Sequence, residues 1–415
     1  MVITVLKSLQ LRLFASRTRL FASHRPFAIA LGVIVAGAAI AVPAAAGAAS
    51  AAAGAPPAVT ASPAASFPAT VVAFHCWSMT NCMAVGANFP QMATQVIAER
   101  WNGTHWTRSA LPKPSGAAMI TISGVACPTR TECVAVGTGY PPATAKSGSF
   151  PFADYWNGTR WTTGRAAAIG SDSGFAAVSC SSARNCYAVG NYTPKGTGKF
   201  LPLNEYWNGA AWSRRSAPVP AGTTFGELTA VSCPSAKFCV AVGTDGTGEL
   251  IERLTASGWS KTTPRSASSA MLFGVSCPSA SSCFAVGSGL TTSGGSVGQR
   301  WNGRSWSAFT TPVPRGDSNA GLEAVSCASA SHCLAVGSYQ NSASHNGVYA
   351  DSWNGSGWHQ VSMTTVGGHI GDFGAVDCTG ANSCAALGAT TQFVATARSE
   401  SAFWNGTRWK VALTA

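Results

Sequence analysis

Beyond residue 70 the chain reads as short apolar runs broken every few positions by turn-forming residues. Residues 225–265 display the pattern. Leu228–Cys233 is a β-type run, Pro234–Phe238 a turn, Cys239–Gly243 a second run and Thr244–Gly248 a loop. Glu249–Leu254 predicts a third strand, Ser257 and Gly258 a turn, and Trp259–Thr263 a fourth strand. The second run, Val240-Ala241-Val242, does not alternate, which suits a strand covered on both faces. No segment beyond residue 42 shows a helical period of any length. The unit is therefore a four-stranded antiparallel meander.

The unit recurs. Fourteen Cys form seven pairs, each with five residues between: Cys76/Cys82, Cys127/Cys133, Cys180/Cys186, Cys233/Cys239, Cys277/Cys283, Cys327/Cys333 and Cys378/Cys384. First members follow one another at steps of 51, 53, 53, 44, 50 and 51 residues. A Gly stands four positions after each second Cys, as at Gly137 and Gly243. Twelve of the 14 Trp form a second series close to WNGxxW: Trp101/Trp106, Trp156/Trp161, Trp207/Trp212, Trp301/Trp306, Trp353/Trp358 and Trp404/Trp409. In the fourth unit it degenerates to Leu254…Gly258-Trp259. The Asn-Gly pair before each second Trp is a hairpin signal, predicting a tight turn with positive φ at both central residues.

One such meander cannot bury both its faces, whereas seven can by closing into a ring. The sequence predicts an all-β fold, a seven-bladed β-propeller over residues 70–415. Its blades are four-stranded and antiparallel, with one hairpin disulfide each; an open β-solenoid is the alternative. The chain enters at a first strand and leaves at a fourth. The ring is thus expected to close without a shared blade, leaving packing to seal it.

Each Cys pair flanks the turn between strands one and two, which places both Cβ atoms opposite each other within disulfide reach. A loop this small gains about 2 kcal/mol per bridge on a model-dependent entropic estimate. Zinc sites use tighter Cys pairs joined by further Cys or His. The seven His do not follow the repeat, so no metal and no cofactor is expected. The Trp pairs are expected to pack between blades. Two residues before the first Trp stands an acid in several units, Glu99, Asp154, Glu205 and Asp351, with Glu252 at the same place before Leu254. A repeated acid beside Trp is read as a hydrogen-bonded anchor, since catalytic acids are seldom repeated around a ring. Asn102, Asn157, Asn354 and Asn405 fit the glycosylation pattern, but turn chemistry accounts for them.

The first 25 residues hold Lys7, Arg12, Arg17, Arg19 and Arg25 and no acid. An apolar run follows from Pro26 to Val42, then small residues around Ala44-Ala45-Ala46. These are the parts of a secretory signal, assigned to residues 1–46; an uncleaved membrane anchor is the alternative. Residues 47–69, nearly all Ala, Pro, Gly, Ser, Thr and Val, read as a linker. Removing the leader takes five of the 27 basic residues and none of the 15 acids, so the net charge falls from +12 to +7. That is too mild and too dispersed for a nucleic-acid footprint. Fourteen Cys fit a secreted or extracellular protein, reached by membrane only through the leader.

The Gly-x-x-Trp hairpins, Gly103/Trp106, Gly158/Trp161, Gly209/Trp212, Gly303/Trp306, Gly355/Trp358 and Gly406/Trp409, with Gly258/Trp259 adjacent in the fourth unit, resemble the Asp-box of sialidase-like propellers. There an S-x-D-x-G-x-T-W turn joins strands three and four; here Asn replaces the Asp and the leading Ser or Thr is missing. The whole repeat is similar to secreted repeat proteins of actinobacteria. The resemblance implies the fold. It does not imply sialidase activity, because no arginine triad, Tyr/Glu nucleophile pair and acid Asp can be assigned.

In such a meander the uniform Cys loops and Asn-Gly turns emerge on one side of the ring. The variable segments emerge on the other, where binding usually evolves on a rigid scaffold. Its distinctive residues are Tyr140, Lys146, Phe150 and Phe152, then Tyr192, Lys195, Lys199 and Phe200, then Tyr339, His345 and Tyr349. Aromatics beside Lys suit stacking on a sugar and pairing with an anion. The leading expectation is a monomeric, non-catalytic binding module for a cell-envelope glycan or protein. The alternatives are a carbohydrate hydrolase or lyase and a purely structural extracellular protein. An enzyme would need paired carboxylates, and the variable side offers only Asp172, Asp245, Asp317 and Asp372. No Walker motif, G-x-S-x-G elbow, H-E-x-x-H or EF-hand loop is present.

Overall fold

Seven apolar meanders arrange themselves around a common axis. The computed structural model describes residues 69–88, 96–166, 169–219, 222–262, 269–289, 295–314, 317–341, 346–363, 371–390 and 398–413. The leader and all but the last residue of the linker, residues 1–68, lie outside the described residues. The described chain forms strands β1 to β28, grouped as seven four-stranded sheets of consecutive antiparallel strands. The first sheet is β1 (Ala69–Ser78), β2 (Asn81–Asn88), β3 (Val96–Trp101) and β4 (Trp106–Ala110). The fold is the seven-bladed β-propeller expected.

The innermost strands are β1, β5 (Met119–Thr129), β9 (Asp172–Ser182), β13 (Glu227–Ser235), β17 (Ala270–Ser279), β21 (Asp317–Ser329) and β25 (Gly371–Gly380). Each packs on the next, and β25 packs on β1 to complete the ring. The blade interior is where the sequence ceases to alternate. Val240, Ala241 and Val242 are all fully buried, because neighbouring blades cover both faces of the second strand. On the outermost strand the pattern reverses: Trp106 is buried and the four residues after it are exposed. The core therefore lies between blades. One cluster joins Met83, Val85 and Val96 to Ile120, Phe152 and Trp161; another carries Val71, Phe74 and Trp106 across the closing seam to Ala385 and Leu387.

All seven disulfides form as paired from the sequence, each within one blade: Cys76–Cys82, Cys127–Cys133, Cys180–Cys186, Cys233–Cys239, Cys277–Cys283, Cys327–Cys333 and Cys378–Cys384. They fit an oxidising compartment. As expected, the pairs flank the turn between strands one and two. The second members, Cys82, Cys133, Cys186, Cys239, Cys283, Cys333 and Cys384, are buried strand residues, at most 5% exposed. Six of them stand across the ladder from their blade's first Trp, as Cys82 does from Trp101, Cys133 from Trp156 and Cys186 from Trp207. Cys283, Cys333 and Cys384 repeat this against Trp301, Trp353 and Trp404. Each also joins its blade's second Trp in a core cluster, as Cys82 joins Trp106 and Cys133 joins Trp161. The physical reason is that the strand is covered on both faces. A sulfur on it is sealed by apolar packing, so these bridges serve the core and are not available as ligands or exposed thiols. No described helix is long and apolar enough to cross a membrane.

The Gly that follows the second Cys has a steric cause at Gly137, Gly190, Gly243, Gly287 and Gly337. The innermost strand bulges between Leu228 and Ala230, opposite Gly243. A Cβ at Gly243 would run into the carbonyl oxygen of Glu227, and one at Gly137 into that of Thr121. The Trp hairpins differ from the tight turn predicted. Trp101 pairs with Trp106, so four residues span the turn. Gly103 takes φ 97°, and Asn102 Oδ1 accepts the N–H groups of Thr104 and His105 at 3.0 Å. The Asn side chain, replacing a backbone turn bond, makes the longer loop as defined as a two-residue one.

Blades are also sewn to one another. The residue before the first Cys accepts a hydrogen bond from that Cys N–H in the next blade: Ser179 from Cys233, Ser232 from Cys277, Ser276 from Cys327 and Ser326 from Cys378, all at 2.9–3.0 Å. The residue before the first Trp packs on the next blade's first Trp. Tyr155 meets Trp207 at 4.8 Å, Arg253 stands 5.2 Å over Trp301, and Phe403 stacks on Trp101 at 5.3 Å. The ring thus closes without a shared blade.

Candidate functional site

The variable side is best defined over blades two to four, where the loops are described almost throughout. Blade two presents the turn between β6 (Glu132–Tyr140) and β7 (Phe150–Trp156), and blade three the turn between β10 (Asn185–Thr193) and β11 (Leu201–Trp207). The strands reach further into these segments than the sequence implied. Phe150 and Phe152 are interior residues of β7, not loop residues.

Each loop is tied to the blade that follows it. Ser149 N–H donates to Asp172 Oδ1 at 3.0 Å, and Ser173 N–H returns a bond to the Ser149 carbonyl at 3.0 Å. Phe200 N–H donates to Thr224 O at 3.0 Å and Gly226 N–H to Phe200 O at 2.8 Å. Asn191 Nδ2 donates to Glu227 Oε2 at 3.2 Å. The loops of blades two and three therefore form a stitched rim. Asp172 and Glu227 do the stitching. Asp172 is among the carboxylates that the sequence offers to catalysis, whereas Glu227 is not singled out there. Both open an innermost strand, which is the signal that could have found them.

On that rim Lys146, Lys195 and Lys199 are exposed and Tyr140 is half-buried. Tyr192 is placed differently from the stacking residue expected: its ring is buried, and the Arg214 guanidinium lies 4.2 Å over its face. It supports the rim from below. Tyr339 belongs to blade six and packs on buried Tyr349 at 6.3 Å, so it forms a cluster separate from that of blades two and three. Tyr349 is an interior residue, its hydroxyl bonded to Ser296 Oγ at 2.7 Å. His345 lies outside the described residues, as do the side chains of Asp317 and Asp372.

The remaining candidate carboxylate, Asp245, is engaged in its own turn. Oδ1 accepts from Thr247 and Gly248, and Oδ2 accepts from Lys261 Nζ at 2.9 Å. Burial pushes its carboxyl up, but the bonds from Thr247 and Lys261 outweigh this and hold it below the usual range. Among the described residues no group of three or more His, Cys, Asp or Glu is gathered as a metal site would need.

The repeated acids are sealed on the side of the preceding blade, all at most 1% exposed. Glu99 is anchored as expected, by Arg108 at 2.8 Å, and Glu252 by Asn204 Nδ2 at 2.7 Å from the preceding blade. Asp154 draws on the Thr163 hydroxyl and Asp351 on that of Thr311, whereas Glu205 has the Arg214 charge beside it. Burial pushes Asp154, Glu205 and Asp351 up to about 7 and Glu252 up to about 8. Arg214 stands across the ladder from Glu205, as Arg108 does from Glu99, but it is drawn onto Tyr192 instead.

No protein-family model matches the chain, and no curated protein is similar to it in sequence. Solved structures are similar in fold. The GH74 xyloglucanase of Xanthomonas campestris superposes with a TM-score of 0.53 at 13% identity, over 83% of this chain and 54% of that one. This chain thus spans about half that enzyme's length. A PL25 ulvan lyase bound to a glucuronate–sulfated rhamnose oligosaccharide gives a TM-score of 0.52 at 8% identity, over 84% of this chain and 95% of that one. YCF48 bound to D1 peptide gives 0.48 at 11% identity, over 78% and 91%. At these identities the likeness is one of fold, and the Asp-box and the actinobacterial kinship expected from the hairpins gain nothing from it.

Proposed function

We propose that this chain is a secreted or cell-surface binding module, non-catalytic, which takes a glycan or protein of the cell envelope on its variable-loop face. The observation that carries the reading is the stitched rim of blades two to four. There Lys146, Lys195 and Lys199 are exposed and Tyr140 is half-buried, on loops tied into neighbouring blades. A prearranged surface of this kind loses little conformational entropy on binding. Of the candidate carboxylates whose side chains are described, Asp172 and Asp245 are already engaged.

The test is a glycan array and envelope pull-down with the mature protein, followed by alanine substitution of Lys195 and Lys199. Retention that falls at least tenfold in the double variant supports the reading; unchanged retention removes the rim as the site. An empty array and pull-down leave the purely structural role. A second reading, a polysaccharide hydrolase or lyase, is favoured by the fold likeness to a xyloglucanase and an ulvan lyase. Product release from a polysaccharide, abolished by Asp317→Asn or Asp372→Asn, would establish it. Secretion by cleavage near residue 46, leaving a monomeric ring behind the linker, is part of the same proposal. N-terminal sequencing and light scattering of the exported protein check it.

A further inference from the structure

The opposite side of the ring carries a feature that the variable face does not explain. Where blade seven meets blade one, a groove of about 460 Å³ opens among the uniform turns. Its apolar walls are Phe403 and Met79, its amides Asn382 and Asn405, and its cations Arg408 and Lys410. No acid lines it.

The residue before the first Trp varies around the ring. Arg253 stands over Trp301 and Arg300 over Trp353 at 4.9 Å, while Tyr155 meets Trp207 at 4.8 Å. At the seam that residue is Phe403, which lies flat on Trp101 with an interplanar angle of 26°. Directly across the ladder from Phe403 stands Lys410. The six other blades carry Thr107, Thr162, Ser213, Ser260, Ser307 and His359 at this place. Lys410 is thus the one lysine at this place in the repeat, and it lines the groove together with its cross-strand partner Phe403. Arg408 and Lys410 are exposed, and neither is in an ion pair with an acid among the described residues.

We propose that the seam groove binds a saccharide bearing an anionic group, a carboxylate or a phosphate ester. The volume lies in the range of small-ligand sites. Phe403 and Met79 receive the apolar face of a sugar ring, Asn382 and Asn405 its hydroxyls, and Arg408 with Lys410 the anionic substituent. This site is independent of the variable-face rim.

Calorimetric titration of the mature protein tests it with three probes: a hyaluronan tetrasaccharide for the carboxylate, glucose 1-phosphate for the phosphate ester, and maltotetraose as the neutral comparison. At least one acidic probe is expected to bind ten or more times more tightly than maltotetraose, and which one does so identifies the anion. Arg408→Ala with Lys410→Ala, both exposed positions, should weaken that binding at least tenfold. Met79→Trp, which fills the groove and leaves both charges, should do the same. Lys195→Ala with Lys199→Ala should leave it within twofold. The proposal is overturned if neither acidic probe binds, if maltotetraose binds as well, or if the loss follows Lys195 and Lys199. That last result would leave the variable-face reading standing.

Discussion

The backbone N–H of Cys76 donates to Oδ2 of Asp377 at 2.7 Å, joining residues 301 apart across the closing seam. Four other junctions make this bond to a Ser hydroxyl. At the seam the acceptor is a carboxylate, which also takes a bond from Ser326 Oγ at 3.3 Å and faces His75 Nδ1 at 3.6 Å. A ring sealed only by packing gains most from a strong bond at the one junction that the chain does not bridge. Asp377→Ala is expected to lower stability by about 1–3 kcal/mol, the cost of leaving part-buried donors without a charged acceptor. Asp377→Ser, which restores the acceptor used elsewhere, should recover more than half. Urea unfolding of both variants decides it; equal losses would show that the carboxylate acts through something other than this bond.

The buried acids make stability depend on pH. Asp154, Glu205, Glu252 and Asp351 hold their protons up to about pH 7–8 in the folded chain, whereas exposed carboxyls release theirs near pH 4. Between those limits the folded state binds more protons than the unfolded state, so stability falls as pH rises. The contribution is full below about pH 4 and lost through pH 7–8, at about 1.4 kcal/mol per unit for each group. Melting temperature should therefore drop between pH 5 and pH 8.5. Replacing Asp154 and Asp351 by Asn should flatten that slope, and a slope of the same size in the double variant would contradict this account.

Tyr192 and Glu205 compete for Arg214. With the Tyr192 ring in place, the guanidinium sits 4.2 Å above it and Glu205 keeps its proton. Tyr192→Leu removes the ring face and lets Arg214 turn to Glu205, as Arg108 turns to Glu99 in blade one. The Glu205 titration, followed by carboxyl carbon NMR, is expected to move down by at least one pH unit. A midpoint that stays near 7 would mean that the backbone, not Tyr192, holds Arg214 away.

Gly243→Ala should be among the most damaging single-methyl additions in the chain. Its Cβ would meet the Glu227 carbonyl at the bulge of the innermost strand, a backbone atom that cannot step aside. The expected cost is about 1–3 kcal/mol, as for other overpacked sites. Ala substitution at Gly196, whose Cβ would meet nothing within 4 Å, gives the comparison, its own cost set by φ 73° alone. Thermal unfolding that fails to rank Gly243→Ala as the more harmful would rule out the clash.

The repeat was legible because its signals are local. A Cys pair five residues apart, a Gly four further on and an Asn-Gly before Trp each constrain a hairpin, and a hairpin is decided by neighbours in sequence. Phased copies then leave closure into a ring as the way to cover both faces of every blade. The pairing of all fourteen Cys follows from the same spacing. The sealing of Cys82 or Cys283 in the core does not, since apolar side chains of an adjoining blade complete the cover. Tyr192 escapes a local reading for the same reason. Its position beside Lys195 says nothing of Arg214, which reaches it from two strands away.

What the sequence determined by itself is therefore the unit, its number and its covalent staples. Only the tertiary structure decided what the units do to one another. Whether Asp154 stays protonated depends on the burial that a neighbouring blade imposes. That Phe403 stacks where it does depends on Trp101, a ring from the other end of the chain. Contacts between blades join residues about fifty positions apart, or three hundred at the seam. No local pattern encodes such a distance, and the chemistry of both proposed sites is set there.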